Sequence, residues 1–144
     1  MRLLCLEGTV LVMIEPYDSA ADVQPDLAMI GLYADVVFGH CEHWVPVRAL
    51  AEKGGADRPP HTPFLEADRN LAARLETQAL WAADAGMALF VVPGTVLHPG
   101  EAKAGDIVQT QVILVDLDHG DIAAKRDHLA RHLGEPTLEV ASGG

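Results

Sequence analysis

The chain has few cysteines, few aromatic residues and few positive charges. Its 144 residues include two cysteines, and its aromatic fraction is 5%. Cys5 and Cys41 are too few for a disulfide framework, so we expect reduced thiols in a cytoplasmic protein. Lysine and arginine number 10 against 21 acidic residues, which gives a formal net charge of −11. Surfaces that bind nucleic acid are normally basic. This charge therefore excludes an extended basic surface that binds many phosphates of DNA or RNA, and any contact with nucleic acid must be local.

Long hydrophobic runs are also missing. The apolar opening, residues 1–14, is interrupted by Glu7 and is followed by no signal-peptide cleavage pattern. It is also too short to span a membrane. We therefore interpret residues 1–17 as a strand or an N-terminal extension, with Met13 as an alternative ordinary start. The remaining residues, 18–144, have the length and the hydrophobic content of one αβ domain.

The spacing of apolar residues predicts a mixture of helices and strands, and therefore an α+β fold. Asp26 and Gly39 are the expected cap and stop of the first helix. Pro46 is expected to place the strand around it at a sheet edge or a bulge. The predicted helices span 26–39, 66–85 and 121–133, and the predicted strands span 44–50, 87–92, 111–117 and 138–141.

The predicted strand 111–117 leads into two carboxylates one residue apart, Asp116 and Asp118. Alternate strand residues share a face, so both acids are expected on one side. Carboxylate oxygens are ligands that Mg²⁺ and Mn²⁺ prefer. A right-handed crossover to strand 138–141 would place the acids at the carboxyl edge of the sheet, with Ser142 and Gly143 near the same edge. The backbone amides of that small-residue turn could then approach a phosphate. A plain turn or a helix cap is the alternative for the two acids, and a flexible end is the alternative for the glycines.

This arrangement resembles the archaeo-eukaryotic primase superfamily, and most closely the RepB-like primase domains of plasmids and phages. The resemblance rests on four apolar residues followed by Asp116-Leu117-Asp118, then a helix, then the segment 138–144. It implies an N-terminal αβ unit beside the start of an RRM-like βαβ unit. It also implies DNA replication chemistry, in which a primase-polymerase makes primers from nucleoside triphosphates on a single-stranded DNA template with Mg²⁺ or Mn²⁺.

The resemblance assigns roles to individual positions. Asp116 and Asp118 match the first motif, which binds the catalytic metals. Ser142 and Gly143 match the approach to the second motif, Ser-x-His, and are expected to bind nucleotide. Neither the histidine of that motif nor the third acidic residue of the family is found in the 144 residues. We therefore expect a truncated portion of a replication protein that continues toward a helicase-like domain and is inactive alone.

Other residues and other functions stay open. Arg48, in a predicted strand, is a candidate contact for triphosphate or template, with a plain surface charge as its alternative. The cluster 40–43 and the pair His128 and His132 contain zinc-ligand residue types, but solvated side chains explain both. A second functional class is a non-catalytic αβ accessory module of a replication initiator. A third is a haloacid-dehalogenase-like phosphatase fragment, which Gly120 disfavours because that motif has Thr or Val at this position.

Overall fold

A computed structural model describes residues 2–6, 9–13, 25–51, 58–100, 102–117 and 119–140, with the backbone alone for the first two ranges. Its elements in chain order are β1 (Arg2–Leu6), β2 (Thr9–Met13), α1 (Leu27–Phe38), β3 (Trp44–Ala51), β4 (Phe64–Glu66), α2 (Leu71–Asp84), β5 (Met87–Val91), β6 (Thr95–Val96), β7 (Ile107–Gln109), α3 (Ile122–Leu133) and β8 (Leu138–Val140). The predicted α+β class is confirmed, and the RRM-like detail stays a prediction. No helix among these residues is long and apolar enough to cross a bilayer.

The chain forms two compact units. The smaller unit combines Met1–Asp18 with Leu114–Gly144, and the larger unit is Ser19–Ile113. The boundary predicted at residue 17/18 falls within 14–24, outside the described residues.

Helix α1 begins and ends where the sequence predicts. Asp26 is its N-cap, and the Asp26 Oδ1 accepts a hydrogen bond of 3.1 Å from the backbone amide of Met29. This bond satisfies one of the amides that lack a partner in the first turn. At the other end, the Gly39 amide donates to the Asp35 carbonyl at 2.9 Å. The helix buries one apolar side, which includes Val37 and Phe38.

The larger unit is built around β3, which pairs with three other strands. Strand β4 pairs antiparallel with the first half of β3, and β5 pairs antiparallel with the second half of β3. Strand β6 pairs with the first residue of β3, and β7 continues the sheet beyond β6. Helix α2 packs on β4 and β5, and α1 packs on α2. Alternate residues of β3, namely Val45, Val47 and Ala49, are buried. Ala49 packs with Ala82 of α2 and Met87 of β5, so this side of the sheet faces the helices.

The position of Pro46 corrects one prediction. The strand that contains it lies inside the sheet and not at an edge. Pro46 faces the end of β5, where its carbonyl accepts a 3.0 Å bond from the Val92 amide, one residue beyond the last residue of that strand. The missing proline N–H therefore removes one bond at the end of a pairing and none from its middle.

The smaller unit contains β1 and β2 as an antiparallel pair, with β8 joined to β2 in parallel. Helix α3 precedes β8 and confirms the helix predicted over 121–133. Its N-cap is Asp121, whose Oδ1 accepts a 3.0 Å bond from the Ala124 amide. The helix is followed by Gly134 at φ 90°, in the left-handed region that glycine adopts without strain.

The strand predicted over 111–117 is wrong. Strand β7 ends at Gln109, and residues 112–117 belong to no strand in the structure. The chain leaves the sheet at Thr110, whose hydroxyl oxygen lies within hydrogen-bond distance of the carbonyls of Pro93 (3.2 Å) and Val112 (3.1 Å) and can donate to either. Ile113 is consequently 88% exposed. The predicted crossover is wrong as well, because the strand that pairs with β8 is β2.

Candidate functional site

The acidic motif lies in the extended segment that leads into α3. Asp116 is exposed, so its carboxylate is accessible to a solvent cation. Asp118, Ser142 and Gly143 lie outside the described residues, and their predicted roles stay predictions. Of the two carboxylates of the motif, that of Asp116 is the one among the described residues.

The turn between the acidic motif and α3 is fixed by three local features. Gly120 has φ 77°, a left-handed conformation in which a side chain would be strained. The Nζ of Lys125 donates a 2.6 Å hydrogen bond to the His119 carbonyl, which ties the first turn of α3 back to the motif. Asp121 caps the helix immediately afterwards. The positive end of the helix dipole and the Lys125 ammonium group thus both lie beside the turn that follows the acidic motif in sequence.

A shallow open cavity of about 380 Å³ separates the extended segment from α3. Its lining residues are Val115, Leu117, Asp121, Ala124, Lys125, His128 and Leu129. Val115 and Leu117 share this side, while Asp116 between them does not line the cavity. The alternation of sides expected from the sequence is therefore present here without a strand. Val115 and Leu117 thus line the apolar side of the cavity, and the exposed Asp116 carboxylate does not.

An ion pair connects α3 to β8. The Nε of Arg126 lies 2.9 Å from both carboxylate oxygens of Glu139. The Glu139 carboxylate raises the pKa of the Arg126 guanidinium above its ordinary value, by hydrogen bonding first and by charge second. Both side chains are about one-third exposed, so the pair orients the two elements more than it stabilises them. Strand β8 leads directly to the predicted nucleotide-binding residues.

Arg48 belongs to the larger unit, on the side of the sheet away from the helices. It is exposed, and its cross-strand partner in β5 is Phe90, which is 54% exposed. The same alternation places Leu50 and Ala88 beside them. We name these four residues the open sheet face. It carries one cation, one exposed aromatic ring and no carboxylate, in a chain with twice as many acids as bases. The sequence predicts Arg48 as a contact but does not predict that Phe90 is exposed. All five residues of β5 are apolar, so the sequence does not show which side of this strand faces solvent.

The described residues contain no group of three or more His, Cys, Asp or Glu side chains positioned to hold a metal ion. The oxygen donors of Asp116 suit Mg²⁺ or Mn²⁺, and the predicted second ligand, Asp118, is not among the residues described. In the cluster 40–43, Cys41 is buried, and burial raises the pKa of its thiol. The thiolate that binds zinc is therefore disfavoured there.

Comparison of the chain with protein-family models, with curated proteins and with solved structures finds no match. The functional conclusion consequently depends on the residues themselves.

Proposed function

We propose that this chain carries the first acidic motif of a primase-polymerase, a metal-dependent nucleotidyltransferase of DNA replication. The observation that carries the proposal is the pattern of four apolar residues followed by Asp116-Leu117-Asp118, with an exposed Asp116 in the segment that precedes α3. In this role the two carboxylates hold Mg²⁺ or Mn²⁺. The metal supplies charge neutralisation at the transferring phosphate when it is bound.

The surroundings of the motif suit a polyphosphate. The N-terminus of α3, the positive end of the helix dipole, follows the motif closely in sequence. Lys125 adds a full positive charge, and its bond to the His119 carbonyl restrains that charge near the turn. These groups offset the charge of a nucleoside triphosphate while the carboxylates hold the cation. Ser142 and Gly143 complete the proposed nucleotide contact from the segment after β8.

The open sheet face suits a single-stranded DNA template. Arg48 supplies a cation for a phosphate, and the exposed ring of Phe90 supplies a surface on which a base can stack. Stacking does not require a basic surface, so it is compatible with a net charge of −11. This contact is local, as the composition requires.

Within the family that the sequence resembles, primer synthesis also needs a Ser-x-His motif and a third acid. We therefore expect the 144 residues to bind a divalent cation weakly and to synthesise no primers. The cytoplasm is the compartment in which this replication chemistry and reduced cysteines are both expected.

Mn²⁺ binding to the 144-residue chain, followed by electron paramagnetic resonance of the free ion, tests the proposal. We expect Asp116→Asn combined with Asp118→Asn to weaken Mn²⁺ binding by at least about tenfold, because both first-motif ligands lose their charge. Asp127→Asn on α3 is the matched control, since it removes an exposed carboxylate from the same unit without touching the motif. Unchanged Mn²⁺ affinity in the double variant would remove the metal role from these two acids.

A further inference from the structure

Two histidines on α3 form a pair that the proposed function does not use. His128 and His132 are four residues apart, so they lie on the same side of the helix, and both are exposed. Their ring centroids are 4.2 Å apart, and the ring planes are inclined by 30°. The two imidazoles are therefore side by side on one face of the helix, at the i, i+4 spacing with which two histidines can bind one ion.

The hydrogen bond of His132 determines which nitrogen is available. Its Nδ1 lies 2.7 Å from the backbone carbonyl oxygen of His128. A carbonyl oxygen can only accept a hydrogen bond, so Nδ1 carries the proton, and in the neutral ring Nε2 carries the lone pair. Histidines that bind metals usually have this arrangement, in which the second ring nitrogen donates to a carbonyl or carboxylate that fixes the ring orientation. The orienting contact of a metal ligand is thus present at His132.

The charges around the pair also favour a cation. Both histidines lie in the second half of α3, where the negative end of the helix dipole attracts positive charge. The cations nearest in sequence have other partners: Arg126 pairs with the Glu139 carboxylate at 2.9 Å, and Arg131 Nε donates to the Asp127 carbonyl at 3.1 Å. The open cavity borders His128 and leaves space for water molecules as further ligands.

We propose that His128 and His132 form a two-histidine chelate for Zn²⁺, separate from the acidic motif. Imidazole nitrogen suits Zn²⁺, Ni²⁺ and Cu²⁺, whereas Mg²⁺ prefers oxygen ligands, so the two sites select different ions. The protein contributes two ligands, and water fills the remaining positions. Because the ligands are one turn apart, the bound ion clamps the second half of the helix that connects the acidic motif to β8.

Isothermal titration of the full chain with Zn²⁺ is the direct test. We expect one ion per chain at this pair, and at least about tenfold weaker binding in His128→Gln and in His132→Gln. His98→Gln is the matched control, because His98 is an exposed histidine of the larger unit. The His98→Gln variant should bind Zn²⁺ at the pair His128 and His132 with the affinity of the wild type. Unchanged affinity in the variant that carries both α3 substitutions would overturn the proposal.

A second measurement needs no substitution at the site. In wild-type protein, Zn²⁺ should shift the imidazole ¹⁵N resonance of Nε2 of His132 and leave its Nδ1 protonated. Shifts confined to other histidines would overturn the proposal. Zn²⁺ binding to the pair should also survive Asp116→Asn with Asp118→Asn and an excess of Mg²⁺. Failure of the chelate and failure of the nucleotidyltransferase proposal are thereby distinguishable, because each depends on its own pair of residues.

Discussion

At the scale of single residues, Tyr33 is the side chain whose surroundings change its chemistry most clearly. Burial raises the pKa of Tyr33 to about 12 from its ordinary value of 10.0. Its ring meets Phe38 edge to face, with centroids 6.0 Å apart. The folded state therefore favours the neutral phenol. The corresponding stabilisation is complete below the unfolded-state pKa and is lost as the pH rises through the folded-state pKa.

We expect the free energy of unfolding of the wild type to fall by on the order of 2 kcal/mol more than that of Tyr33→Phe between pH 10 and pH 12. The phenylalanine variant keeps the aromatic contact and removes the titrating hydroxyl. Urea unfolding at a series of pH values measures the difference. Parallel pH profiles for the two proteins would show that Tyr33 titrates normally.

Residues that act through local chemistry could be predicted from the sequence, and residues that depend on distant contacts could not. Asp26 is predicted as a helix cap and Asp121 as the first residue of a helix. Both predictions use local sequence, because a capping side chain accepts from an amide three residues away. The face of Asp116 followed from simple alternation. The exposure of Phe90 depends on which side of β5 the helix α2 covers, and no local pattern in an all-apolar strand contains that information.

At the scale of elements, the same distinction explains the errors in the predicted boundaries. Helix α2 begins at Leu71, whereas the pattern predicted a start at 66, because Phe64–Glu66 pairs with the first residues of β3. The strand predicted over 111–117 had suitable composition, but the part of the chain that the structure describes places no strand beside it. Backbone groups of a strand need a pairing partner, and composition does not reveal whether one is available.

At the end of β7, the side chains of two glutamines make hydrogen bonds to backbone groups of a neighbouring segment. Gln109 Oε1 accepts from the Glu42 amide at 2.8 Å, and Gln111 Oε1 accepts from the His40 amide at 2.7 Å. Gln111 Nε2 also donates to the Val36 carbonyl at 2.6 Å. These side chains hold the connection between α1 and β3 against the end of β7.

Replacement of Gln111 by Leu should destabilise the larger unit by about 0.5–1.5 kcal/mol, because the exposed hydrogen bonds to the His40 amide and the Val36 carbonyl are lost. Gln78→Leu is the matched control, since the buried Gln78 Oε1 has no hydrogen-bond partner among the described residues. The control should be neutral or slightly stabilising. Chemical unfolding of both variants measures the contrast, and equal effects would contradict the role assigned to Gln111.

At the scale of the whole molecule, long-range pairing decides the organisation. Strand β2 pairs with β8, so residues near position 10 lie beside residues near position 138. A linear pattern can predict that both segments are strands, but it does not specify that they are neighbours. Charge, in contrast, is a whole-chain property that the sequence gives completely, and it restricts any contact with nucleic acid to a few phosphates.

That restriction leads to a quantitative prediction for the open sheet face. We expect a fluorescent oligo-dT strand to bind the chain with a shallow salt dependence, a log–log slope of about −1 that corresponds to one or two phosphate contacts. Phe90→Ala should weaken binding by about 1–3 kcal/mol through lost stacking while it preserves the slope. Arg48→Gln should weaken binding and bring the slope closer to zero, because a phosphate contact is lost.

Arg69→Gln removes an exposed cation just before α2 and serves as the control. Fluorescence anisotropy at several salt concentrations separates these effects, and wild-type affinity in a Phe90→Ala and Arg48→Gln double variant would show that the template binds elsewhere.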